Sequence, residues 1–137
     1  MRSLLLASAF FFTASVDAQD FKPFPRANIT QTQWQAYYDE VSTRHSANVQ
    51  VVEAEKLIIF NDPESKTFYA FTQAGHPAHP AWITRKLEVR NDNLFIGQIG
   101  YFAGDEPQFA RLFKAYLDLN EKLREASKQK SKGSASP

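Results

Sequence analysis

The chain of 137 residues contains no cysteine. This absence excludes disulfide bonds, thiolate nucleophiles and cysteine-ligated metal sites. Small extracellular domains often depend on disulfides, so a chain of this size without them must be held together by packing. Twelve phenylalanines, within an aromatic content of 14%, supply the apolar material for such a core.

The sequence also lacks an excess of charge of either sign. Lys and Arg number 16 against 15 Asp and Glu, which gives a formal net charge of +1. A dedicated nucleic-acid-binding domain would present a strongly basic face. We therefore expect no nucleic-acid partner.

Complete catalytic and cofactor motifs are missing as well. The sequence has no Gly-x-Ser-x-Gly nucleophile elbow, no His-Glu-x-x-His zinc motif and no phosphate-binding glycine loop. The sequence therefore favours a binding protein over an enzyme, and it predicts no cofactor.

Residues 1–18 match a secretory signal peptide. Arg2 provides one positive charge, and an apolar run extends over Leu4–Ala14. Val16 and Ala18 occupy the −3 and −1 positions of the expected cut, where a signal peptidase accepts small residues. A transmembrane anchor is the alternative, but a span needs roughly 20 apolar residues and this run is shorter. We expect cleavage, a secreted or periplasmic location, and a mature chain that does not span the membrane.

The remainder of the chain predicts one domain with two flanking segments. Residues 19–29 form an expected extended lead-in, because Pro23 and Pro25 disfavour a helix around them. A single α+β domain is expected over residues 30–124. Residues 125–137 are rich in Lys and Ser without apolar periodicity, so they predict a disordered basic tail.

Two helices are predicted at the ends of the domain. Near its start, Thr-x-x-Gln occurs at both Thr30 and Thr32, and each copy matches a capping box. The helix that follows is expected to end near Arg44, with an apolar stripe at i, i+3, i+4 and i+7 formed by Trp34, Tyr37, Tyr38 and Val41. Asp105 is the predicted N-cap of the second helix, whose apolar face includes Phe109, Leu112, Phe113 and Tyr116.

Four strands are predicted between these helices. Apolar and β-branched residues mark them at Val49–Phe60, with an interruption around Glu53–Glu55, and at Lys66–Gln73, Ile83–Arg90 and Leu94–Phe102. Asn61–Ser65 and Asn91–Asn93 carry turn chemistry. Because hairpin-linked strands need no crossover, we expect a four-stranded antiparallel meander. The C-terminal helix should pack on one sheet face, and the economical arrangement places both helices on that face.

Glycines interrupt the last of these strands at Gly97 and Gly100. A glycine inside a strand indicates a bulge or the close approach of another element. The residues therefore predict a bulge there, or a helix packed closely across the strand.

The candidate site is the loop Gly75–Trp82, which contains His-Pro-Ala-His-Pro. Its two prolines favour a polyproline-II-like course that would place His76 and His79 on one side. These histidines are candidate metal ligands, although a third ligand would have to come from elsewhere. We take His76, His79, Trp82, Tyr101 and Phe102 as the candidate binding residues, and we predict no catalytic residue. A rigid connector with solvated histidines is the competing interpretation.

Three functional hypotheses remain open. The first is a non-enzymatic exported binding or accessory protein, of inhibitor or immunity type, whose partner is another exported protein. The second is a small metal-binding or hydrolytic domain that uses His76 and His79. The third is a domain that binds a small ligand between sheet and helices.

Overall fold

Two long helices flank five strands in the computed structural model, which describes residues 21–135. The predicted signal peptide of residues 1–18 lies outside this range. In chain order the elements are α1 (Gln31–Arg44), β1 (Val49–Val52), a 3-10 turn (Glu53–Glu55), β2 (Leu57–Asp62), β3 (Thr67–Thr72), β4 (Ala81–Arg90), β5 (Asn93–Phe102) and α2 (Glu106–Ala135).

The strands form one sheet in the order β1-β2-β3-β4-β5, and each is antiparallel to its neighbours. The predicted α+β fold with an antiparallel meander is confirmed, but the expected count of four strands is wrong. The stretch Val49–Phe60 forms two paired strands, because Glu53–Glu55 makes a 3-10 turn and Lys56 takes the left-handed conformation with φ 53°. A lysine in that conformation reverses the chain without the usual glycine signal.

The two helices lie on opposite faces of the sheet. Along β4, Trp82 belongs to the core under α1, whereas the next residue, Ile83, belongs to the core under α2. The expectation that both helices share one face is therefore wrong. The central strands are apolar on both sides, so a helix is needed on each side to exclude water. We call the two sides the α1 face and the α2 face.

Helix α1 begins as the sequence predicts. Gln33 N–H donates to Thr30 Oγ1 over 3.0 Å, and Thr30 N–H donates to the Gln33 side chain over 2.9 Å, so the first of the two capping boxes is the one used. The predicted stripe is confirmed, because Trp34, Tyr37 and Val41 are buried against the sheet.

Helix α2 also begins at its predicted cap, where Gln108 N–H donates to Asp105 Oδ2 over 3.1 Å. Phe109 then crosses β5 at Gly100, where an added Cβ would lie 2.7 Å from the Phe109 ring. The close helix approach predicted from this glycine is thus present. The helix continues to Ala135, where the sequence predicts a disordered tail from residue 125. Residues 125–130 are mainly good helix formers, and Lys128 lies 3.9 Å from Glu125 one turn earlier.

The lead-in runs along the end of β5 before α1 starts. Ile29 N–H donates to Phe102 O over 2.9 Å, and Phe102 N–H donates to Ala27 O over 2.8 Å. Tyr101 Oη donates to Phe24 O over 2.9 Å, so the lead-in is fixed at two points. No helix within residues 21–135 has both the length and the hydropathy of a membrane span.

Candidate functional site

The loop His76–Trp82 is built from tight turns. His76 N–H donates to Gln73 O and His79 N–H donates to His76 O, both over 3.0 Å, and the His79–Pro80 peptide bond is cis. The expected polyproline-II-like course is therefore wrong. Ala78 N–H also donates to Nδ1 of His76 over 2.9 Å, so the imidazole closes the turn that follows it.

The side chain of His79 contacts two residues at the edge of the aromatic core. Its Nδ1 lies 2.8 Å from Thr72 Oγ1, and its ring meets Trp34 edge-on with centroids 5.1 Å apart. Burial lowers the pKa of His79, which favours the neutral imidazole at neutral pH. Burial is also the main cause of the lowered pKa of His76, with a smaller contribution in the same direction from His79 and an opposing one from Glu55.

A metal site at this loop lacks partners in the described part of the chain. Within residues 21–130 there is no group of three His, Asp or Glu side chains that is placed to hold a metal ion. The Nδ1 atoms of both His76 and His79 are engaged in the hydrogen bonds described above. The structure thus adds no third ligand to the two histidines that the sequence singles out.

The three aromatic candidates belong to the core. Trp82 has an exposed fraction of 0% and stacks on Tyr37 with centroids 4.5 Å apart. Tyr101 is 4% exposed, and Phe102 is 6% exposed and stacks on Phe109 on the opposite face. Only a small part of each of these rings is therefore exposed at the surface. The expectation that they form a binding surface with the histidine loop stays a prediction, and the structure shows that most of each ring is packed in the core.

An open cleft lies beside Tyr101 and Phe102, at the β5 edge of the sheet. Its floor is the outer edge of β5, one wall is the lead-in and the other is α2, and together they enclose about 560 Å³. We call it the β5-edge cleft. Apolar side chains form much of both walls, among them Phe24, Ile99, Phe109, Phe113 and Leu117.

The backbone of β5 offers hydrogen-bonding groups to this cleft. The bonds between Phe102 and the lead-in show that the N–H and C=O of Phe102 point away from β4. Backbone groups alternate between the two sides along a strand, so those of Gly100 and Gln98 point the same way. No described residue forms a backbone hydrogen bond with either residue on that side, because β5 is the last strand of the sheet.

The lead-in leaves this stretch of β5 open because it turns away onto the α1 face. Phe24 contacts three core rings edge-on, with centroids 5.6 Å from Tyr101, 6.2 Å from Trp82 and 6.3 Å from Tyr37. The backbone around Phe24 therefore lies above the sheet and not beside Gly100. The edge of β5 at Gln98 and Gly100 therefore faces the open cleft.

Cations predominate around the cleft. Lys22, Arg26 and Lys114 are exposed lining residues, against one lining carboxylate, Glu106. Lys114 also reaches Asp118 over 3.1 Å, an exposed ion pair that is worth little and is easily exchanged. The cleft therefore combines apolar walls, a floor of free backbone groups and a net positive rim.

Sequence reasoning missed this cleft because its parts are distant along the chain. The signals were present separately in the proline-rich lead-in, in Gly100 and in the apolar stripe of α2. Comparison of the chain with protein-family models, curated proteins and solved structures finds no match.

Proposed function

We propose that this chain is an exported, non-enzymatic binding protein whose β5-edge cleft takes an extended segment of a partner protein. The observation that carries the proposal is the row of free backbone groups at Gln98 and Gly100 on the floor of an apolar cleft. A free strand edge pairs readily with an extended peptide, and pockets for alternate side chains give that pairing specificity.

The chemistry of the walls defines the segment that fits. Alternate side chains of an added strand point to the two faces of the sheet. On the α2 side they would meet Phe109 and Phe113, which suits apolar residues. On the side of the lead-in they would meet Lys22 and Arg26, which suits Asp or Glu. The partner segment is therefore extended, apolar at alternate positions and acidic between them.

Export supports a partner outside the cytoplasm. The signal-peptide pattern of residues 1–18 motivates a secreted or periplasmic location, and the partner is then another exported protein. An inhibitor or an immunity-like protein fits this picture, because such a protein can hold a segment of its partner without performing catalysis.

Defined peptides test the proposal. The probes are an acetylated peptide of alternating valine and glutamate, the same peptide with lysine in place of glutamate, and a glutamate peptide N-methylated at alternate residues. N-methylation removes the N–H groups that an added strand needs. We expect the glutamate peptide to bind with the highest affinity and the N-methylated peptide to lose most of that affinity, as measured by isothermal titration calorimetry.

A matched pair of variants locates the binding. Ala110 is an exposed α2 residue that lines the cleft, whereas Ala126 is exposed on the same helix outside it. Ala110→Trp should fill the cleft and abolish binding, and Ala126→Trp should leave it unchanged. Equal binding by the N-methylated peptide, or binding that survives Ala110→Trp, would contradict the proposal. So would self-association that Ala110→Trp abolishes, because the occupant would then be a second copy of the chain.

A further inference from the structure

A second cavity lies on the other side of α2 from the β5-edge cleft and shares none of its lining residues. It encloses about 370 Å³ between α2 and the part of the α2 face formed by β1 to β4. This volume is within the usual range of small-molecule sites, roughly 300–1,000 Å³. Its walls are mainly apolar, with Val52, Leu57, Ile59, Phe68, Ala70, Leu112 and Leu119 among them.

One buried cation lines this apolar cavity. Arg85 has an exposed fraction of 8%, and its Nε donates to Asn120 Oδ1 over 2.9 Å. The guanidinium carbon lies 5.9 Å from the ring centroid of Phe68 and 5.1 Å from that of Tyr116. Both rings also line the cavity, so the aromatic contacts hold the cation at its wall.

Asn120 is itself held in place by hydrogen bonds that involve Gln98. Its Nδ2 donates to Gln98 Oε1 over 2.7 Å, and Gln98 Nε2 donates to Phe113 O over 2.9 Å. This chain of hydrogen bonds leaves Asn120 Oδ1 directed at Arg85 and fixes the orientation of Nε. The two Nη groups of Arg85 take no part in this hydrogen-bond network.

The charge of Arg85 has no anionic partner among the described residues. No ion pair joins it to an Asp or Glu, and none of the hydrogen bonds within residues 21–130 starts from its Nη groups. Burial lowers the pKa of Arg85, yet a guanidinium stays protonated in proteins at neutral pH. A buried charge without a counter-charge is costly, and a carboxylate is the partner that a guanidinium binds best.

We propose that this cavity binds a small monocarboxylate with an apolar body, whose carboxylate pairs with the Nη groups of Arg85 and whose hydrocarbon fills the space against Leu57, Ile59 and Leu112. Tyr116 offers a further donor beside the guanidinium. Burial is the main cause of the raised pKa of Tyr116, so its hydroxyl keeps its proton at neutral pH. This site is independent of the proposed peptide cleft.

Glu55 is the one carboxylate among the residues that line the cavity, and it is exposed. Its negative charge opposes an anionic ligand at the same cavity. Glu55→Gln should therefore tighten the binding of a carboxylate, whereas Glu64→Gln, an exposed site in the turn between β2 and β3, should not change it.

Calorimetric titration of the unmodified protein with decanoate and with 1-decanol tests the charge requirement without any substitution. We expect decanoate to bind at least about tenfold more tightly, because a hydrogen bond between two charged groups is stronger than one to a neutral hydroxyl. Arg85→Met keeps an apolar side chain of similar length and should weaken decanoate binding by about tenfold or more, with little effect on 1-decanol.

Three results would overturn the proposal. The first is equal affinity of the unmodified protein for decanoate and 1-decanol, and the second is no decanoate binding at millimolar concentration. The third is decanoate affinity that is unchanged in folded Arg85→Met. Arg85 does not line the β5-edge cleft, so failure of these tests leaves the peptide test unaffected.

Discussion

Arg85 on β4 and Asn120 on α2 are joined by a 2.9 Å hydrogen bond from Nε to Oδ1, and both residues are buried. They are 35 positions apart in the chain. Together with the two hydrogen bonds that Gln98 makes to Asn120 and Phe113, this bond joins the sheet to α2 beside the apolar contacts of that helix.

Loss of this bond should cost stability. Asn120→Ala leaves Nε of a buried guanidinium without its acceptor, so we expect a decrease of about 1–3 kcal/mol in the free energy of unfolding. Glu121→Ala at the exposed neighbouring position serves as the control and should change little. In a double-mutant cycle with Arg85→Met, the cost of Asn120→Ala should shrink, because the apolar side chain needs no acceptor. An equal cost in both backgrounds would contradict the assigned role.

Gly100 should not tolerate a side chain. A Cβ there would lie 2.7 Å from Phe109 and 2.9 Å from Ile83, so Gly100→Ala overpacks the contact between sheet and helix. We expect a loss of about 1–3 kcal/mol in unfolding by urea. Gly97→Ala is the matched control in the same strand, because its Cβ would meet Phe21 at an ordinary 3.4 Å. Equal losses at both glycines would disprove the close contact.

The two overlapping capping boxes can be distinguished by experiment. Thr30 bonds the backbone N–H of Gln33, so Thr30→Ala should destabilise the protein by about 1 kcal/mol. Thr32 lies inside the first turn of α1, where alanine is a better helix former than threonine. Thr32→Ala should therefore be neutral or stabilising in the same unfolding experiment. The reverse order of effects would place the cap at Thr32.

Stability should fall when the histidines of the loop are protonated. Burial lowers the pKa of His76 and of His79, so the unfolded chain binds protons at a higher pH than the folded protein does. Below about pH 6.5 the unfolded state therefore binds more protons, and the free energy of unfolding decreases as the pH falls from 7.5 to 5.5.

Unfolding in urea at these two pH values measures the effect. His79→Asn keeps a polar partner for Thr72 and removes one titrating group, so it should reduce the decrease. The lowered pKa of Asp62 affects stability only below about pH 4, outside this window. A decrease of the same size in His79→Asn would assign the effect to other groups.

Local chemistry made much of the fold predictable. The caps at Thr30 and Asp105 and the turn at Asn91 are decided by neighbouring residues. Asn91 and Asp92 both have positive φ, as a two-residue hairpin turn requires. The extra strand was missed because Lys56 adopts the left-handed conformation that glycine normally signals.

Global relationships were harder to predict. Hairpin connections do not encode the side on which a helix packs, and α1 and α2 occupy different faces. An aromatic residue in a strand suits both a core and a binding surface, so the pattern could not show that Trp82 is fully buried. The β5-edge cleft combines the lead-in, β5 and α2, which come together only when the whole domain folds.

The fluorescence of the two tryptophans reports on only one face of the sheet. Trp34 and Trp82 are the only two in the chain, and both belong to the aromatic core between α1 and the sheet. Their fluorescence emission therefore changes when the core between α1 and the sheet loosens. It does not respond to loosening of the core between α2 and the sheet. Unfolding should therefore be followed both by intrinsic fluorescence and by far-ultraviolet circular dichroism. If α2 detaches before the rest of the domain unfolds, the two unfolding curves will not coincide.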